Sequence, residues 1–291
     1  MNNIEKFIQE INKPENTWWD IIRNDKDFRI DLRRMANKNS YPQINVYYRA
    51  GSFMKIYYTR SGFRASIKQK YIDGNKKSNA YKKCPLEGRL IKIDDYYYDL
   101  GTSDIKNLIC KNILVFYDKM ERTFEANYSA DTNNNILITE YTGENKDRDE
   151  LRYKDENGNN INNIRIDMVR VNPNNVVDLI ELKLDKNNEI KKNHEKHKRN
   201  IKNQSNIYKN YCTERPYIIE KLQEHYSICE KLKLPCAKYR PEKINSKITI
   251  MIACKNGDKS FMDDFLLQDE IVNEAVNIEV IDLDKYYNKV L

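Results

Sequence analysis

The sequence predicts a mixed α/β chain, α+β overall, in which helices and an antiparallel β-rich module precede a core of element order αβββαβ. Three observations predict it. Apolar side chains recur at helical spacing near the start, then change to the strand period of two, and from about residue 103 the two patterns alternate. A chain of 291 residues is long enough for two domains, which we expect at residues 1–102 and 103–291.

The N-terminal domain begins with helices. A first helix is predicted over residues 2–12, ahead of Pro14, and a second over residues 17–36. Residues 43–72 then form three alternating stretches separated by small and turn-forming residues, which predicts three antiparallel strands. Residues 88–101 add one or two strands to this meander.

The C-terminal domain mixes both kinds of element. A helix with room for a break is predicted over residues 103–128, and a longer helical stretch over 189–234 with a break near Pro216. The predicted strands are 136–141, 164–171, 176–185, 247–254 and 277–283, and a further helix is predicted at 258–276.

Charge and hydropathy narrow the class of protein. The net charge of +7 favours an anionic partner such as nucleic acid, although a chain so rich in Lys, Asn, Ile and Tyr also reflects A/T-rich codons. No apolar run approaches the roughly 20 residues of a membrane helix. The polar, acid-containing start resembles neither a secretory signal nor a transit peptide, so we expect a cytoplasmic protein.

Three charged residues lie in segments that otherwise look built for burial. Asp167 belongs to one apolar strand, and Glu181 and Lys183 belong to the next. Burying an unpaired charge is costly, so such residues usually pair, bind metal or take part in chemistry. The turn residues 172–175 predict a hairpin, and a five-residue loop or a bulge is needed to bring Asp167 beside Glu181.

These residue types suit phosphodiester chemistry. Two carboxylates that converge at a strand edge bind a hard cation such as Mg²⁺, which also binds phosphate oxygens. A lysine beside that ion can orient or activate an attacking water. We therefore expect Asp167 and Glu181 as metal ligands and Lys183 as the catalytic cation.

The motif and its element order resemble the PD-(D/E)xK, or restriction endonuclease-like, nuclease superfamily, possibly a branch of RecB type. Asp167 matches the metal-binding aspartate and Glu181-Leu182-Lys183 the (D/E)xK tripeptide, with Ile166 where the motif has proline. The resemblance covers about residues 105–255. It implies a restriction endonuclease-like core and a nuclease that uses Mg²⁺, for which Mn²⁺ can substitute.

The resemblance also implies further site residues. A glutamate on the first core helix often completes the metal site, and Glu125 is preferred over Glu121, while Glu140 at the end of a strand is a rival ligand. Gln204 and Tyr208 resemble the Q-x-x-x-Y helix of the RecB-type branch, in which the two side chains share one helix face near the DNA or the site.

Two basic regions are predicted to contact nucleic acid. Cations and tyrosines interleave in the meander, and a second cluster follows the Glu-x-Lys strand. The predicted contact residues are Arg49, Lys55, Arg60, Arg64, Lys198 and Arg199, together with Tyr208. We expect DNA rather than RNA as the partner, bound by a β-rich module that positions substrate, and a homodimer or a larger defence or repair complex stays open.

Three alternatives stay open. Glu-x-Lys also occurs at residues 144–146 and 189–191, so the tripeptide is informative only inside a buried strand. Lys183 and a carboxylate could form a structural salt bridge in a scaffold protein. The fold could also belong to a catalytically silent nucleic-acid-binding or assembly subunit, or to an RNA-directed nuclease.

Overall fold

A computed structural model describes most of the chain. The described residues are 3–33, 41–75, 80–116, 120–144, 163–190, 215–234, 238–258 and 276–287, with the single positions 201, 204, 207, 211 and 274. The chain is mixed α+β, as predicted. None of the helices within these residues is long and apolar enough to cross a membrane.

The described residues form two compact units. One contains residues 1–127 with 227–235, and the other contains 128–226 with 236–291. The sequence placed its domain boundary at residues 102 and 103, and that division stays a prediction.

The first unit combines helices with antiparallel strands. Its helices are α1 (Asn3–Ile11), α2 (Thr17–Asn24), α3 (Gln69–Asp73), α4 (Asp104–Phe116) and α5 (Met120–Ala130), the last of which ends in the second unit. Its strands are β1 (Phe28–Arg33), β2 (Gln43–Tyr48), β3 (Gly51–Thr59), β4 (Gly62–Lys68), β5 (Tyr81–Cys84), β6 (Leu86–Glu87), β7 (Leu90–Ile93) and β8 (Tyr96–Asp99).

The predicted helix over residues 17–36 is wrong in its second half. The helix α2 ends at Asn24, and residues 28–33 form a strand instead. In this strand Phe28 and Leu32 are buried while charged residues alternate with them, a period of two that a helix cannot satisfy. The side chain of Asp25 accepts a hydrogen bond from the Asp27 amide at 2.9 Å, which stabilises the turn between the two elements.

The three strands predicted in residues 43–72 are confirmed up to Lys68. They belong to a five-stranded antiparallel sheet of order β1-β2-β3-β4-β5. Residues 69–73 turn into the short helix α3, which Gly74 ends at φ +74°, a left-handed conformation that suits glycine. The sequence predicts one or two strands in 88–101, and the structure has two, β7 and β8, which pair with β6 in a small sheet of their own rather than with the meander.

The second unit is built on a six-stranded mixed sheet. Its strands are β9 (Ile136–Glu144), β10 (Asn163–Val171), β11 (Val176–Leu184), β12 (Lys243–Ile244), β13 (Ile248–Cys254) and β14 (Val276–Asp282), and its helices are α6 (Arg215–Lys231), which ends in the first unit, and α7 (Leu283–Tyr287). The strand order is β14-β13-β11-β10-β9, with β12 beside β11. Pairing is antiparallel from β9 to β11 and parallel from β11 to β14.

Most of the predicted elements of this unit are confirmed. Four predicted strands, 136–141, 164–171, 176–185 and 247–254, lie in one sheet. Within the predicted helix at 103–128 the structure describes α4 and α5, and within the predicted stretch at 189–234 it describes α6. The residues between α4 and α5 and those just before α6, near which the two breaks are predicted, lie outside the described part of the chain. The predicted helix at 258–276 lies largely outside the described residues.

The core of this unit explains the strand pattern. Strands β11 and β13 are buried along nearly their whole length, as expected for strands in a sheet covered on both faces. Apolar side chains from the sheet pack with buried helical residues that follow β11 in the chain. These residues are Ile201, Tyr211, Ile218, Leu222 and Tyr226.

Candidate active site

The hairpin of β10 and β11 positions the motif residues. Val171 pairs with Val177, so five residues, 172–176, separate the two paired positions, in agreement with the first of the two predicted arrangements. The side chain of Asn172 accepts hydrogen bonds from the amides of Asn174 and Val176 at 2.9 and 3.1 Å, which holds this turn. The register continues outward to the pair Met168 and Ile180, and one further step places Asp167 level with Glu181.

At that level the hydrogen bonding changes. The ladder between the two strands ends at Met168 and Ile180. The carboxylate of Asp167 instead accepts a hydrogen bond from the Leu182 amide, with 2.8 Å between Leu182 N and Asp167 Oδ2. This bond ties the carboxylate to the backbone between Glu181 and Lys183.

The Lys183 ammonium contacts two carboxylates. Its Nζ lies 2.9 Å from Glu181 Oε1 and 2.7 Å from Glu189 Oε2. The side chain of Lys183 is only 8% exposed and that of Glu181 11%. Both side chains lie beside apolar neighbours, because Glu181 pairs with Ile250 and Lys183 pairs with Ile252 on β13.

The surroundings set the charge of these groups. Burial opposes the charged form of Lys183, but the Glu181 and Glu189 carboxylates outweigh it and raise the pKa of the ammonium. Burial raises the pKa of Asp167, although the Leu182 amide and the positive charges of Lys183 and Arg165 act in the opposite direction. The lysine therefore stays protonated, and the aspartate would gain from a further cation.

Glu189 is a member of the cluster that the sequence did not predict. It lies in a short 3-10 turn, Asn188–Ile190, after the end of β11. The Asn187 side chain accepts a hydrogen bond from the Glu189 amide at 2.9 Å, and fully buried Ile190 fixes the other end of the turn. The sequence shows this segment only as a further copy of Glu-x-Lys, because a glutamate beyond a strand has no recognisable spacing.

Gln204 reaches the cluster through Glu189. Its Nε2 lies 3.4 Å from Glu189 Oε2, the same oxygen that contacts Lys183. The nearby helical residues Ile201 and Tyr211 are buried in the core, so Gln204 lies on the core-facing side of this segment. The structure thus brings Gln204 to the edge of the predicted site.

Glu140 lies level with Asp167 on the neighbouring strand β9. The ladder pairs Tyr141 with Ile166 and Thr139 with Met168, and Glu140 falls between them at φ +48°. A left-handed conformation is unusual for a glutamate in a strand, and such strain often occurs at functional sites. The Glu140 carboxylate contacts Arg165 at 3.0 Å, and its charge contributes to the raised pKa of Asp167.

The other predicted ligand lies elsewhere in the chain. Glu125 and its rival Glu121 belong to α5 and are partly exposed. Both are in the first compact unit, whereas Asp167 is in the second. Their role as ligands stays a prediction.

The predicted nucleic-acid contacts on the meander occupy turns and strands. Arg49 lies in the turn after β2 at φ +52°, and Arg60 is exposed in the turn after β3. Lys55 lies over the Tyr81 ring at 4.4 Å, and Arg64 is exposed on β4. The remaining predicted contacts, Lys198, Arg199 and Tyr208, lie outside the described residues.

The carboxylates suit a small hard cation that keeps several waters, rather than a metal ion held entirely by protein ligands. In the part of the chain that the structure describes, no group of three or more Asp, Glu, His or Cys side chains is arranged to hold a metal ion. Mg²⁺ usually keeps several waters and takes only one or two carboxylates from the protein. Asp167 and Glu181 match that requirement in number and chemistry.

A second ion cluster lies on the opposite sheet face. Side chains alternate along β11, so Asp178 points away from the side of Glu181 and Lys183. Arg170 contacts Asp178 at 3.2 Å and Glu279 at 2.8 Å, and it donates to the Tyr128 hydroxyl at 3.2 Å.

The groups of this second cluster are firmly paired. Glu279 raises the pKa of Arg170 against the effect of burial, and burial raises the pKa of Tyr128 to about 12. The Arg170 cluster consists of Arg170, Asp178, Glu279 and Tyr128. The Lys183 cluster consists of Asp167, Glu181, Lys183 and Glu189.

Comparisons with protein-family models, curated proteins and solved structures find no match for this chain.

Proposed function

We propose that this chain is a metal-dependent nuclease of the PD-(D/E)xK type that acts on DNA. The observation that carries the proposal is the hydrogen bond from the Leu182 amide to the Asp167 carboxylate. It joins the aspartate of the motif to the backbone of the Glu-x-Lys tripeptide, at the point where the strand ladder ends. Two separate parts of the sequence motif thereby meet.

The order of elements supports the finer fold. Helices α4 and α5 precede the antiparallel strands β9, β10 and β11, after which come helix α6 and the parallel strand β13. This order agrees with the αβββαβ core of the restriction endonuclease-like nucleases. The motif residues occur on the second and third strands, where the resemblance requires them.

Asp167 and Glu181 would hold the cation. The cluster has three carboxylates and one ammonium, so a divalent cation would balance its surplus negative charge in surroundings of low polarity. When bound, Mg²⁺ supplies positive charge to the oxygens of the scissile phosphodiester. Glu140, which the strained backbone of β9 holds level with Asp167, would offer a further carboxylate to this cation.

Lys183 acts as a hydrogen-bond donor rather than a base. Its raised pKa keeps the ammonium charged at neutral pH, so Nζ offers hydrogens to a phosphate oxygen or to the attacking water. The lysine therefore orients the water and stabilises negative charge. Among the two roles that the sequence suggested, orientation fits these contacts better than removal of a proton.

One observation favours a second candidate. The ion pair between Lys183 and Glu181 is also what a structural salt bridge would look like. A nucleic-acid-binding or assembly subunit with the same fold could use the cluster only for stability. Cleavage assays separate the two functions.

The test is incubation of the purified protein with linear, circular and single-stranded DNA and with RNA, in Mg²⁺, Mn²⁺ or EDTA. We expect cleavage of DNA that requires the cation and that Glu181→Gln abolishes. Glu220→Gln, an exposed residue of α6, is the matched control and should cut at the wild-type rate. Binding of nucleic acid without cleavage under every condition would support the second candidate.

A further inference from the structure

Two carboxylates contact one ammonium at the same time in the Lys183 cluster. Glu181 Oε1 and Glu189 Oε2 lie 2.9 and 2.7 Å from Lys183 Nζ. A carboxylate oxygen that binds a cation is less available to accept from an ammonium, and the two positive charges repel each other. A lysine that depended on Glu181 alone would lose its anchor whenever the metal is bound.

Glu189 is built to keep its position. Its backbone amide is capped by the Asn187 side chain, and the adjacent Ile190 is fully buried. The Gln204 amide donates to Oε2 from the helical segment that follows. Glu189 is thus held from two parts of the chain: Asn187 and Ile190 fix its backbone, and Gln204 contacts its carboxylate.

We propose that Glu189 is the positioning residue for Lys183: it holds the ammonium when Glu181 turns to the cation. This inference rests on the proposed function. It divides the two carboxylates by task, since Glu181 binds the metal and Glu189 binds the lysine. Gln204 supports Glu189, which gives this glutamine a role that needs no contact with DNA.

A double-mutant cycle tests the inference with two measurements. The proteins are wild type, Glu189→Gln, Lys183→Met and the double variant, with Glu220→Gln as the matched control. Mn²⁺ affinity is measured by electron paramagnetic resonance without nucleic acid. The kcat and KM for cleavage of a DNA oligonucleotide are measured at saturating Mg²⁺.

We expect Glu189→Gln to weaken Mn²⁺ binding about tenfold, because Glu181 then stays paired with Lys183. It should lower kcat by roughly 10²-fold with KM changed less than about twofold, since the ammonium is misplaced while nucleic acid still binds. In the Lys183→Met background the same substitution should change Mn²⁺ affinity by less than about threefold. That non-additivity shows that Glu189 acts through Lys183.

The outcomes separate the two proposals. Additive effects on Mn²⁺ affinity would overturn the positioning role, even if the wild type cuts DNA. Coupled effects in a protein that cuts no nucleic acid would support the positioning role and overturn the nuclease. Absence of Mn²⁺ binding by the wild type would overturn the positioning role, because it requires a cation at Glu181.

Discussion

The Lys183 cluster and the Arg170 cluster lie on opposite faces of one sheet and are built differently. Arg170 presents a planar guanidinium that contacts both oxygens of Glu279, at 3.2 and 2.8 Å, and reaches Asp178 as well. Lys183 presents a single ammonium between two carboxylates. The guanidinium is suited to a fixed arrangement, whereas an ammonium can exchange partners.

The two clusters differ in how well the protein itself balances the charge of their carboxylates. In the Arg170 cluster the guanidinium and the Asn245 side chain satisfy Asp178 from two sides. In the Lys183 cluster burial raises the pKa of Asp167, so the arrangement disfavours its charged form. We infer that the Arg170 cluster stabilises the sheet. We also infer that the Lys183 cluster lowers the stability of the metal-free protein and is completed by a cation.

The largest expected effect on folding concerns the Arg170 cluster. Arg170→Ala leaves Asp178 and Glu279 without their shared partner and should lower the free energy of unfolding by about 3 kcal/mol or more. Urea unfolding measures this loss. Mg²⁺ should not restore stability, and the DNA cleavage rate of the folded variant should stay within about threefold of wild type. A large loss of cleavage in a folded Arg170→Ala protein would contradict the separation of the two clusters.

A smaller effect on folding is expected at Lys183. Lys183→Met keeps the apolar stem but leaves Glu181 and Glu189 facing each other, so the metal-free variant should lose about 2 kcal/mol. Mg²⁺ should stabilise the variant by more than it stabilises wild type, because loss of the neighbouring ammonium tightens Mg²⁺ binding at Glu181, so the difference between the two proteins should narrow. Unfolding with and without Mg²⁺ measures the recovery. Equal losses in both conditions would indicate a structural salt bridge.

The same contrast shows what the sequence could predict. Asp167, Glu181 and Lys183 were predictable because strand alternation and the turn at 172–175 together determine which side chains meet. Glu189 was not, because its position depends on a short turn anchored by Ile190, a contact that has no sequence period. Strand β1 was missed because the helical pattern of α2 was extended across a change to alternating residues.

A pH-dependent effect is expected at Asp167. The folded protein has a raised pKa at this carboxyl, so its contribution to stability is present at low pH and is lost as the pH rises through the folded value. Asp167→Asn does not titrate and keeps an oxygen for the Leu182 amide. The variant should therefore match wild type near pH 3 and exceed it in stability at pH 7 without metal.

The measurement for Asp167 is urea unfolding of both proteins across this pH range. Mg²⁺ at pH 7 should stabilise wild type and leave Asp167→Asn unchanged, because the variant has lost a ligand. A variant that is less stable than wild type at pH 7 without metal would show that the Asp167 charge is already balanced by the protein.

The smallest effect is expected at Glu140, whose backbone is strained at φ +48°. Glu140→Gly relieves roughly 1–2 kcal/mol of left-handed strain but costs about 0.5–1 kcal/mol of chain entropy, so the free energy of unfolding should rise by no more than about 1.5 kcal/mol. The exposed ion pair with Arg165 adds little, and Arg165→Met serves as its control. Glu140→Val, which cannot adopt this φ without strain, should lose about 1–2 kcal/mol more than Glu140→Gly.

If Glu140 completes the metal site, Glu140→Gly should also weaken Mn²⁺ binding about tenfold while folding normally. Unchanged Mn²⁺ affinity in that variant would show that Glu140 is not a metal ligand. The left-handed conformation at Glu140 would then affect only the shape of β9 beside Asp167.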